Sequence, residues 1–160
     1  MPRGYKGRFK PKNPQKYKGD PTKVIYRSLW ELKVFRRCDE HPDIIWWQSE
    51  ELAIPYRNPA KNKGTGGPAR YFPDIIYKMK TGENTTETVM VEIKPKSQTK
   101  PPSTSKKFNT PTGRVSRRYL NESIAYAVNE AKWRAAERYC QERGMRFMIM
   151  TEDHIKPLGK

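Results

Sequence analysis

The sequence predicts an α/β (α+β) domain ordered as helix, three-strand meander, helix and strand, with a mixed sheet flanked by helices. Three observations carry this. Apolar runs of strand length recur at 44–56, 71–79 and 87–94, with turn-rich segments between them. Residues 119–143 place apolar side chains at a 3.6-residue spacing. A last apolar run, 145–151, follows that helix directly, so the helix reads as a crossover returning the chain to the sheet. A chain of 160 residues is expected to form one domain with its own core.

Residues 1–19 are rich in Lys, Arg, Gly and Pro without hydrophobic period, and are expected to be a flexible basic arm on a domain spanning 20–160. Asp20-Pro21 is the expected start of the first helix, since Asp caps helix N-termini and Pro is tolerated at the first position. Its apolar face would be Ile25, Leu29 and Leu32, flanked by Val24 and Phe35, and His41-Pro42 would end it. The strand at 44–56 is expected to bend near Ser49, and Asn, Pro and Gly mark 57–70 as a loop. Strands at 71–79 and 87–94 around the turn-rich 81–86 form a hairpin. Residues 95–118 are a Pro-, Ser- and Lys-rich insertion. Leu120, Ile124, Ala127, Val128, Ala131, Ala135 and Tyr139 would face the core from the long helix, which Gly144 ends.

Charge narrows the function. Of the net +16, residues 1–20 hold +6 and residues 95–118 hold +7 with no acid, leaving +3 for everything else. A near-neutral domain with two basic segments suits a polyanion, because each cation on a phosphate releases condensed counterions. A nucleic acid is the expected partner. Candidate phosphate contacts are Arg8, Lys10 and Lys12 in the arm, Lys96, Lys100, Lys106, Lys107, Arg114, Arg117 and Arg118 in and after the insertion, and Lys132 on the long helix. No segment is long and apolar enough for a membrane helix, and the basic start lacks the apolar run of a secretory signal. Cys38 and Cys140, with only His41 and His154 available, read as packing residues rather than zinc ligands.

The chemistry converges on the third strand. Alternation points Val89, Val91 and Ile93 one way and Met90, Glu92 and Lys94 the other, so an acid and a base stand together at a strand end. Cross-strand pairing brings Asp74, after Pro73, towards Glu92. Two converging carboxylates repel, and a divalent cation relieves the repulsion; hard oxygen donors suit Mg²⁺, with Mn²⁺ as a substitute. Lys94 could then orient or deprotonate a water, or stabilise charge on an attacked phosphate. Glu31 lies at the edge of the first helix's apolar stripe and reads either as a surface acid or as a further ligand at the seam. Lys132 borders its own stripe as a snorkelling lysine. Glu50 and Glu51 read either as supports behind the metal ligands or, the preferred reading, as ordinary strand-end charges, and Trp46, Trp47 and Trp133 as packing residues.

Pro73-Asp74 followed by Glu92-Ile93-Lys94, in an α-β-β-β-α-β order, resembles the PD-(D/E)xK nuclease superfamily, which implies a restriction-endonuclease-like core. YKGRFKPKNPQKYKGDP, IYRSLWE at 25–31, SEELAIPY at 49–56, RYFPDIIYK at 70–78, VEIKPKSQTKPP at 91–102, and RYLNE and AKW in the long helix look similar to the head completion nucleases of contractile-tailed bacteriophages. A more distant similarity is to the endonuclease subunit of a cut-and-paste transposase, which also carries a Glu on its first helix.

The resemblance implies Asp74 and Glu92 as metal ligands, Glu31 for a second metal or a water beside the first, and Lys94 as the catalytic lysine. It also implies a Mg²⁺-dependent endonuclease of double-stranded DNA that leaves a 5′ phosphate; low sequence specificity is expected from the basic segments, which contact phosphates with little base readout. Such a protein, made in the host cytoplasm, would act after DNA packaging, trim the DNA end, and stay in the virion near portal or neck proteins. Two rival readings stand beside this. One is a non-catalytic DNA-binding or plug protein at the portal; the other is a transposase-like or junction-cleaving endonuclease.

Overall fold

A computed structural model describes residues 5–106 and 111–159, with Lys106 described by its backbone alone. Its centre is β7 (Thr86–Ile93), whose residues from Val89 to Ile93 are all buried. A strand covered on both faces must be apolar nearly throughout, and here each face feeds a different core. Val89, Val91 and Ile93 pack with Val34, Phe35 and Cys38 of α1 (Leu29–Glu40). Met90 packs with Ala136 and Cys140 of α2 (Arg117–Glu142).

β7 pairs antiparallel with β6 (Ile75–Lys80), which pairs antiparallel with β3 (Ile44–Gln48). On its other side β7 pairs parallel with β8 (Arg146–Met150), reached through α2. The sheet order β3-β6-β7-β8 is therefore the expected meander extended by a crossover strand, a mixed sheet flanked by helices. Gly144 closes α2 at φ +67, a conformation that side chains with a Cβ rarely adopt. A short helix, α3 (Glu152–Ile155), follows β8 and buries Ile155.

Several boundaries differ from the sequence reading. Asp20 does cap, but only a 3₁₀ turn at Pro21–Lys23. The chain then forms β2 (Ile25–Tyr26), which pairs with β1 (Gly7–Arg8), and α1 starts only after Ser28, whose hydroxyl accepts the Glu31 N–H at 3.1 Å. Ile25 and Leu29 are each 37% exposed for this reason, while Val34, Phe35 and Cys38 form the buried face.

The run 44–56 divides at Glu50, with φ +55, into β3 and β4 (Ile54–Asn58), which belong to different sheets. The expected loop 57–70 is largely a hairpin, because β4 pairs with β5 (Gly67–Tyr71) from Ile54↔Tyr71 to Asn58↔Gly67. Among the described residues the two strands pair only with each other, and that leaves room for Pro55 and Pro68, which have no N–H to donate. The expected strand 71–79 is accordingly two strands, interrupted at 72–74 by Pro73.

The long helix meets the core through its second half, where the expected Ala135 and Tyr139 do pack against it. Its buried residues are Trp133, Ala136 and Cys140, whereas Leu120 and Ile124 are 48% and 53% exposed. Only the second half of α2 contributes buried residues, so the apolar period of the first half does not mark the core.

The largest correction concerns the arm. Its described part, residues 5–19, is strapped to the domain. The Phe9 N–H donates to Val24 O and the Lys18 N–H to Trp47 O, each at 2.8 Å. The Lys12 and Asn13 N–H groups donate to the buried Asp39 carboxylate at 2.7 and 3.0 Å, which satisfies a charge that would otherwise be costly inside. Phe9, Tyr17, Phe35 and the fully buried Trp47 form one aromatic cluster, with ring centroids 4.8–5.8 Å apart. The basic composition hides two large apolar side chains that reach the core. Phe9→Ala is expected to lower unfolding free energy by about 3–5 kcal/mol in denaturant titration. A change below about 1 kcal/mol would mean the strap is not part of the folded core.

Candidate active site

Register sets the site. Ile75 opposes Val91, so Asp74, one residue before β6, falls beside the last residues of β7. Its Oδ2 accepts the Ile93 N–H at 2.7 Å. The Glu50 N–H donates to Pro73 O at 3.3 Å and ties the turn before Asp74 to the break between β3 and β4.

Glu92 is 6% exposed and points to the α2 side of the sheet. Its Oε2 accepts the Tyr71 hydroxyl at 2.5 Å, and its Oε1 lies 3.6 Å from Lys94 Nζ. Lys94 itself is held by its N–H, which donates to Met150 O at 3.0 Å. Asp74, Glu92 and Lys94 are thus brought together as the alternation and the pairing require.

The electrostatics are those of an under-neutralised acid pair. Burial raises the Asp74 carboxyl well above the usual carboxylate range and the adjacent Glu92 charge raises it further; the Ile93 N–H and, more weakly, Lys94 oppose this. Burial, then the Glu92 charge, also pushes the Tyr71 hydroxyl upward, so it stays protonated and remains a donor to Glu92.

Glu31 stands further off and is partly committed. Its Oε2 accepts the Arg27 N–H at 2.8 Å, on the residue just before the Ser28 cap, so it helps to start α1. Burial raises its carboxyl, and the charges of Glu50 and Glu92 add to that. Among the described residues, no three His, Cys, Asp or Glu side chains converge closely enough to hold a metal ion alone. The close pair is Asp74 and Glu92, with Glu31 at its edge.

Two neighbours escaped sequence reasoning, Tyr71 and Arg27. Tyr71 was absorbed into a continuous strand, and only the β4–β5 hairpin turns it towards Glu92. Arg27 pairs with Glu50 and lies near enough to feel the charges of Glu31 and Asp74, so Glu50 is more than an ordinary strand-end charge. Lys132 reaches the site indirectly, its Nζ 6.0 Å from the Tyr71 ring centroid. Glu51 instead accepts the Tyr17 hydroxyl at 2.8 Å.

Residues 41–152 match the family described as TnsA-like endonuclease N terminal. The chain belongs to this endonuclease family. The matched stretch holds Asp74, Glu92 and Lys94, while Glu31 precedes it. The chain is also 41% identical over 155 residues to the Head completion nuclease of Enterobacteria phage T4, covering 97% of this chain and 96% of that protein.

The expected phosphate contacts are unequal in this endonuclease. Arg8, Lys10, Lys100, Arg114 and Arg117 are exposed. Lys12, Lys96 and Arg118 are in ion pairs with Glu40, Asp153 and Glu122 at 2.9, 2.9 and 2.7 Å. Lys107 and the Lys106 side chain lie outside the described residues.

The acid pair makes a stability prediction. A carboxyl whose folded pKa is raised binds its proton more tightly when folded. Metal-free stability therefore falls as pH rises from the ordinary Asp value through the raised one. Asp74→Asn keeps an oxygen for the Ile93 N–H and removes the charge. In EDTA its Tm should exceed that of the unsubstituted protein at pH 7–8, with the difference shrinking towards pH 4. A lower Tm across that range would contradict the electrostatic reading.

Proposed function

We propose that this protein is a metal-dependent endonuclease that hydrolyses DNA phosphodiesters with low sequence specificity during phage head completion. The observation that carries this is the convergence of Asp74, Glu92 and Lys94 at the end of β7, with burial and the Glu92 charge holding the Asp74 carboxyl well above its usual range. Hard oxygen donors in an acid pair fit Mg²⁺, with Mn²⁺ as a substitute. Asp74 and Glu92 would hold the ion, and Glu31 would contribute from the edge. When bound, such an ion neutralises the attacked phosphate and lowers the pKa of water.

The chain's own residues do the rest. Tyr71 keeps Glu92 in one orientation through its buried hydroxyl. Lys94 orients the attacking water, shares its proton and stabilises charge on the phosphate. The bond from phosphorus to the 3′ oxygen breaks, leaving a 5′ phosphate. Arg8, Lys10, Lys100, Arg114 and Arg117, all exposed, supply affinity for the backbone without base readout, so binding weakens steeply with salt. The 41% identity to a phage head completion nuclease supports a role in completing the head; in this reading the protein acts after DNA packaging, trims the DNA end, and sits in the virion head or neck beside portal proteins.

Plasmid cleavage in Mg²⁺ or Mn²⁺ tests the reading. Glu92→Ala and Lys94→Ala are each expected to lose about 100-fold or more in rate, and EDTA to abolish cutting. Tight DNA binding without cutting in any metal would favour a non-catalytic plug at the portal. Cutting confined to branched DNA would favour a junction-cleaving enzyme.

A further inference from the structure

A second cleft begins three residues past Lys94, and the chemistry described so far does not use it. One wall is residues 97–103, which follow the end of β7; the other is the first half of α2. It encloses about 620 Å³. That volume suits a small ligand and is far too small for a duplex. Two links run from the cleft towards the active site. Ser97 on its wall is three residues from Lys94. Across the cleft, Tyr126 meets Trp133 edge-on at 6.2 Å, next to Lys132, whose Nζ faces the Tyr71 ring bonded to Glu92.

The lining has a distinctive chemistry. Tyr126, Pro101 and Pro102 offer flat apolar faces. The side-chain amides of Gln98 and Asn129 line the same space, and among the described residues neither makes a hydrogen bond, nor does the Tyr126 hydroxyl. The other charged lining residues, Arg118 and Glu122, pair with each other at 2.7 Å, and Lys100, exposed and without an ion-pair partner among the described residues, adds a net cation. Amides that both donate and accept, beside stacking faces and a phosphate-seeking cation, match the edges, faces and backbone of unpaired nucleobases. A fully paired duplex hides those faces and edges within its stack.

We propose that this cleft binds unpaired nucleotides of a frayed or tailed DNA end and so sets cleavage beside the junction of single and double strand. The proposal rests on the nuclease reading of the adjoining acid pair and names the substrate class of that site.

The test uses the full chain and two duplexes of equal paired length, one blunt and one carrying a six-nucleotide unpaired tail. Binding is measured by fluorescence anisotropy in EDTA, and cut positions are mapped in Mg²⁺. The unsubstituted protein is expected to bind the tailed duplex about ten-fold more tightly and to cut next to the tail. Asn129→Asp, nearly isosteric and repulsive towards phosphate, and Tyr126→Ala should both abolish that preference while leaving blunt-duplex affinity unchanged. Because Tyr126 also packs on Trp133, the Asn129→Asp result decides if Tyr126→Ala unfolds.

Equal binding of both duplexes overturns the proposal, as does a tail preference that survives Asn129→Asp; plasmid cleavage can persist in either case, leaving the nuclease reading intact. Loss of tail preference in Asn129→Asp with no cleavage in any metal would keep the cleft and remove the nuclease reading.

Discussion

Asp74 and Glu92 lie where β6 begins and β7 ends, and there burial first, then the neighbouring Glu92 charge, raises the cost of charging Asp74. Lys94 at 3.6 Å from Glu92 offsets part of this, and the Ile93 N–H offsets part of the charge on Asp74. Tyr71 holds Glu92 in place by donating to its second oxygen. A packed core rarely tolerates such a pair unless something outside the chain binds it. The surrounding fold makes the arrangement rigid. β7 is locked by an antiparallel neighbour, a parallel neighbour and an apolar core on each face.

The strap at residues 5–19 supports the same strand from further away. Phe9 and Tyr17 complete the aromatic cluster around Trp47 beneath the α1 side of the sheet, and Asp39 clasps the Lys12 and Asn13 amides. The pairing of β1 with β2 delays the start of α1 to Ser28. That delay brings Arg27 and Glu31 to the lip of the site, where Glu31 both caps the helix and adds to the acidic field at Asp74. Fold and site are therefore linked through one short stretch, residues 25–31.

Much of this was legible in the chain. Strand alternation alone separates Val89, Val91 and Ile93 from Met90, Glu92 and Lys94, and a turn-rich 81–86 brings Asp74 back to Glu92, because both follow from local pattern. Tyr71 was hidden because its role depends on a hairpin between two Pro-containing strands, and proline reads as a loop signal. The strap was hidden because Phe9 and Tyr17 sit among lysines, where average composition outweighs two aromatic rings. The exposed Leu120 and Ile124 show the same limit from the other side. A helical period marks an amphipathic face, while tertiary packing decides which half of the helix meets the sheet. Glu31 stayed ambiguous for a physical reason, since capping a helix and facing a metal site call for the same residue at the same place.

The central claim is that the acid pair exists to hold a divalent cation, and direct metal binding tests it without relying on a substrate. Mn²⁺ titrated into the protein at neutral pH, followed by calorimetry or electron paramagnetic resonance, should show saturable binding. That binding should be lost in Glu92→Gln and retained in Tyr126→Ala. Saturable binding unchanged by Glu92→Gln, or none in the unsubstituted protein, would contradict the account.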